Sequence, residues 1–164
     1  MTGFADALDI GGPVQAEVLV VWLNADHLEL TGPCGAAPWL IELGEAPDPM
    51  ETVARIVRDM VGPPRLLHST SWRRDRDAVI LTFVAVIDAE LAAGMVSAPI
   101  GRADLARSSA TKAPPAIGHE QVVEHGLRHM AWLAVDDPVV AAALPPSWRT
   151  ALAGYAPEPF RNLG

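Results

Sequence analysis

Three side chains at i, i+3 and i+4, Arg55, Arg58 and Asp59, would share one surface if their segment is helical. Arg55 and Arg58 are candidate ligand-binding residues, and the Asp59 carboxylate could contribute one ligand to a cation. His125 and His129 stand one helical turn apart, a spacing that can hold a transition metal. Gly126 follows His125 where the zinc-hydrolase pattern has glutamate, so surface histidines on a structural helix are expected there. Arg73, Arg74 and Arg76 alternate with Asp75 and Asp77, which neutralise much of the charge and point to a solvated turn. Cys34 is a lone thiol without an adjacent histidine and reads as passive. Trp22, Trp39, Trp72 and Trp132 remain, and an aromatic can stack on a planar ligand as well as fill a core.

The elements that must position these groups are legible in the pattern. Glu17 to Leu23 is a β-branched, nearly all-apolar run and predicts a central strand, paired through Asn24-Ala25-Asp26 with a half-buried strand over His27 to Leu30. Pro38 to Leu43 predicts another short strand. Asp48-Pro49-Met50-Glu51 then predicts a helix start, with Asp48 as N-cap, Pro49 in the first position and Glu51 completing a capping box. Met50, Val53, Ala54, Val57, Met60 and Val61 form one apolar stripe, and Gly62-Pro63-Pro64 closes the helix. Arg65 to Trp72 and Ala78 to Asp88 predict a hairpin with residues 73–77 as its tip. Residues 89–116 predict a long loop with a short turn near Asp104-Leu105. A helix over Ile117 to Ala134 and two shorter ones, opened by Asp136-Asp137-Pro138 and Pro145-Pro146-Ser147, complete the chain. The boundaries expected are a tail at 1–16 and a single domain at 17–164, a mixed sheet with helices on its faces, an α/β/α sandwich.

Composition narrows the function classes. The chain has 164 residues, 50% hydrophobic and 20% charged, enough for one packed domain. Its longest nearly uninterrupted apolar run, Ala78 to Ile87, is half of what a membrane helix requires, so no membrane partner is expected. The first residues lack any basic side chain and carry Asp6 and Asp9, which predicts no secretory leader and a cytoplasmic location. One cysteine excludes an internal disulfide framework. A net charge of −8 argues against a broad nucleic-acid surface.

Strands, a glycine loop, a capped helix with an internal arginine and then a long strand give Gly44 to Gly62 an order that resembles the Nudix superfamily. The resemblance spans roughly residues 17–134 in element order. It implies a helix whose glutamates hold Mg²⁺ and activate water against a diphosphate linkage. In the register that places Gly62 at the motif's closing glycine, Arg55, Val57 and Gly62 match, while Ile56, Asp59 and Met60 stand at the three helix glutamates and Pro47 at the upstream one. A second register anchored on Gly44 puts Met50, Asp59, Gly62 and Pro63 at those places. In both, Asp59 is the only acid at a metal position.

The resemblance therefore implies a Nudix-like domain that has lost the Mg-dependent hydrolase centre and acts as a small-molecule binding or interaction module. A nucleotide-like ligand would be met by Trp39, Arg55 and Arg58, with no cofactor required. The alternative is a divergent hydrolase of a nucleoside-diphosphate-linked substrate that uses Mg²⁺, with Asp59, Glu45 and Glu120 as candidate catalytic acids and Asp59 as a metal ligand. A third reading is another mixed α/β fold. Ligand identity and oligomeric state, a homodimer included, stay open.

Overall fold

The computed structural model describes residues 12–104 and 116–155. Its backbone runs β1 (Val14–Asn24), β2 (His27–Thr31), β3 (Trp39–Glu42), α1 (Pro49–Met60), β4 (Leu66–Asp75), β5 (Ala78–Val86), α2 (Ala89–Ala92), β6 (Ala98–Pro99), α3 (His119–Asp136), α4 (Pro138–Ala143) and α5 (Pro146–Leu152). The strands form one mixed sheet in the order β4-β5-β1-β2-β6, with β3 also paired to β1. β1 is the axis. One edge pairs in parallel with β5 from Val14↔Val79 to Val21↔Val86. The other edge is divided: Gln15 to Val18 pair antiparallel with β3, and Val20 to Asn24 with β2.

Both faces of the sheet are covered, which explains why β1 and β5 are apolar on both sides. On one face Ala16, Val18, Val20, Phe83 and Ala85 pack with Val53 and Val57 of α1. On the other, Leu19, Val21, Val84 and Val86 pack with Val122, Leu127, Met130 and Ala134 of α3, joined by Trp148 and Leu152 of α5. The expected sandwich is the architecture found. Each buried valine or leucine in these layers contributes about 1.5–3 kcal/mol over its exposed state.

Local details depart from the sequence reading in instructive ways. β1 starts at Val14, inside the stretch assigned to the tail, and the Val79 N–H donates to the Pro13 carbonyl. The described part of the predicted 89–116 loop contains α2 and β6, and Ala98 and Pro99 close the sheet against β2. Leu105 of the expected short turn lies outside the described residues, as do most of the N-terminal tail and residues 105–115. β4 runs on to Asp75, so only Arg76 and Asp77 turn the hairpin, with Arg76 at φ 53°. The predicted capping box is seen from one side: Asp48 Oδ1 accepts from the Glu51 N–H at 3.0 Å.

Candidate functional site

The first candidate surface is the outward side of α1. Asp48 and Pro49 fix where the helix begins, and burial of Val53 and Val57 fixes which side faces the sheet. Arg55, Arg58 and Asp59 consequently lie in solvent. Asp59 is held at 3.7 Å by Arg55, an exposed i, i+4 pair of small energetic weight. Ile56 leans on the core of the α1 layer, and Met60 is 58% exposed. Glu51, exposed one turn before Arg55, adds a second carboxylate to this side of α1, whereas Ile56, Asp59 and Met60 bring only one between them. Glu45 is exposed in the loop ahead of α1, whereas Glu120 is exposed in the first turn of α3, in the opposite helical layer. The three acids of the hydrolase alternative thus belong to three different elements. Among the described residues, no group of three or more His, Cys, Asp or Glu side chains is arranged to hold a metal ion. Trp39 packs in the α1-side core at 9% exposure, leaving little of its ring for a ligand. Cys34 is exposed.

Two buried carboxylates were not singled out by the sequence. Glu17 of β1, 1% exposed, opens the apolar run and stands fourth in the strand, which starts earlier at Val14. Arg73 grips it with both terminal nitrogens, Nη1 to Oε2 at 2.6 Å and Nη2 to Oε1 at 3.0 Å, and the Thr82 hydroxyl donates to the same Oε2 at 3.3 Å. Arg73 is therefore a strand residue with a buried partner, which corrects its placement in a solvated turn. An acid at the head of a run of valines and leucines was the available signal, because burying a carboxylate demands a partner.

Glu124 of α3 is the second, 1% exposed. Its oxygens accept from Arg102 Nε and Nη2 at 3.0 and 2.8 Å, from Arg128 Nε at 2.8 Å and from the Ala103 N–H at 3.3 Å. Burial pushes its carboxyl up, but the bonds from Arg102, Arg128 and Ala103 outweigh that and hold it below the usual carboxylate range. Arg102 also donates to the Gly154 carbonyl and stacks on the Tyr155 ring 4.1 Å from its centroid.

The histidine pairing differs from the expected one. His129 is half-buried against the sheet and meets His68 of β4, with Nε2 atoms 3.3 Å apart. The Trp132 ring stands edge-on to His129 at 5.5 Å. Burial, then the charges that His68 and His125 would carry, lower the His129 pKa to about 4. Burial likewise lowers His68, with Asp137 opposing. The helix spacing of His125 and His129 could be read from sequence. The partner on β4 could not, since it comes from a strand sixty-one positions away in the chain.

No protein-family model matches the chain, and no curated protein matches it either. Among solved structures it is similar to NrtR of Shewanella oneidensis, solved in complex with a 27mer DNA. The likeness has a TM-score of 0.58 at 14% identity and covers 87% of this chain and 77% of that one. No helix in the described residues is long and apolar enough to cross a membrane. At that identity, what the two chains share is the fold, a mixed α/β sheet layered with helices.

Proposed function

We propose that this chain is a Nudix-like domain that binds a nucleotide-like small molecule and does not perform Mg-dependent hydrolysis of a diphosphate. One observation carries the reading: at the three α1 positions where the resemblance puts glutamates, Asp59 is the single carboxylate and is engaged by Arg55, beside Ile56 and the exposed Met60. Diphosphate hydrolysis of this type needs a cation to lower the pKa of bound water and to spread the developing charge. A hard dication draws its affinity from several oxygen ligands, and one exposed carboxylate supplies few. Arg55 and Arg58 give the exposed side of α1 two guanidiniums of a kind suited to phosphate oxygens. The fold is shared with NrtR, a protein solved in complex with DNA, and a binding role for this chain is in keeping with that.

The test is a panel of nucleoside di- and triphosphates and dinucleotides, incubated with Mg²⁺ or Mn²⁺ beside an Asp59→Asn control. The expected result is binding without turnover above that control, weakened by Arg55→Ala and Arg58→Ala. Turnover that Asp59→Asn abolishes would establish the hydrolase alternative instead. The net charge led us to expect no nucleic-acid partner, whereas NrtR was solved with DNA. A duplex DNA arm belongs in the same assay, with salt-dependent binding as the outcome that removes our expectation.

A further inference from the structure

His68 and His129 approach each other through their Nε2 atoms, 3.3 Å apart, while their ring centroids are 5.3 Å apart and their planes 22° from parallel. The centroids are more widely spaced than the nitrogens, so both rings turn Nε2 toward each other. Two imidazole nitrogens on a tetrahedral zinc, each at about 2.0–2.1 Å, stand roughly 3.3–3.4 Å apart. A hydrogen bond between the same two atoms is the competing arrangement, and the observed separation is at the long end for one.

We propose that His68 and His129 form an open two-histidine site for a borderline transition-metal dication, Zn²⁺ in the first instance, with water completing the coordination. Imidazole ligands suit zinc, copper and nickel and discriminate against Mg²⁺ and Ca²⁺. The rings are held by different elements, one on β4 and one on α3, and the edge of Trp132 backs His129. Little ordering is then needed on binding. Asp137 lies near enough to act electrostatically on His68, adding negative charge that favours a dication. The site lies in the α3 layer, across the sheet from Asp59, Arg55 and Arg58, and does not depend on the function proposed for α1.

Titration calorimetry of the full chain with zinc chloride at neutral pH tests the proposal. One Zn²⁺ per chain in the micromolar range is expected, with Mg²⁺ giving no heat. His68→Ala and His129→Ala should each weaken zinc by more than about tenfold, since even an outer-shell partner carries that much, and His119→Ala should leave it unchanged. Nitrogen NMR of the wild-type chain keeps the test independent of how the variants fold: the Nε2 signals of both histidines should move together as zinc is added. Zinc uptake that needs millimolar metal, equal uptake in well-folded variants, or unmoved Nε2 signals would overturn the proposal.

Discussion

At Asp48 a single side-chain oxygen decides where a helix begins. It accepts the Glu51 N–H at 3.0 Å, one of the donors a helix start leaves unpaired. Asp48→Ala should therefore cost about 1 kcal/mol and shift the thermal midpoint while the far-ultraviolet spectrum at low temperature stays native. An unchanged midpoint would mean that α1 starts elsewhere. This cap was legible because its cause is local: aspartate, proline and glutamate in four consecutive positions. Arg73 was not legible for the opposite reason. Its role depends on Glu17, fifty-six positions earlier, and nothing in the charged run from Arg73 to Asp77 tells which arginine a strand will carry inward. Arg73→Ala leaves that carboxylate buried with only the Thr82 hydroxyl, and the expected loss is about 3 kcal/mol or more, readable by denaturant titration. Arg74→Ala, at an exposed position on the same strand, should change stability by less than about 0.5 kcal/mol.

Among the elements, α3 shows how a helix can lie flush on a sheet. A Cβ added at Gly126 would come within 3.2 Å of Leu19 Cδ1 and of Val84 Cγ2, on the two central strands. Glycine is a poor helix former, yet here it lets the helix approach the sheet. Gly126→Ala should be close to neutral, because a helix-propensity gain of about 1 kcal/mol opposes a modest clash. Gly126→Val should cost about 2 kcal/mol or more through overpacking. Equal stability of the two variants would show that α3 can slide to relieve the contact. The sequence revealed the helix, its stripe and nearly its ends, since helical periodicity is written in the residues themselves. It did not reveal which side of the helix meets the sheet at Gly126, because the apolar stripe is broad there. Nor did it reveal α2 and β6, whose four and two residues are too short to leave a period.

On the scale of the molecule, Glu124 fastens distant pieces together: it binds the segment after β6 at Arg102 and Ala103 to helix α3, and through Arg102 it reaches Gly154 and Tyr155 beyond α5. Its carboxyl is held below the ordinary value of 4.5, and the sign of the linkage follows. In the unfolded chain the group takes up its proton at a higher pH than in the folded one. Its contribution is therefore complete above about 4.5 and is lost as pH falls through the lower folded value. Thermal midpoints measured from neutral pH downward should fall below that point, and Glu124→Gln should start lower and fall less steeply. Parallel curves for the two proteins would show that other carboxylates govern acid unfolding. The layered architecture was legible from the order of elements, whereas this fastening was not, since Arg102 lies in a stretch without periodicity.

The arrangement of β1 also dictates when the molecule can assemble. Its first neighbour, β2, follows after a two-residue turn, and β3 soon after, so one edge can be paired as soon as those segments exist. The other edge waits for Val79 to Val86, and both α1 and α3 pack against residues of β1 and β5 together. Closing so long a loop before its contacts repay the cost slows folding. A nascent chain still short of residue 86 would present β1 with an open edge and two greasy faces, the state most prone to pair with another chain. The vulnerable interval in the life of this protein is therefore its synthesis, between the emergence of β1 and the arrival of β5.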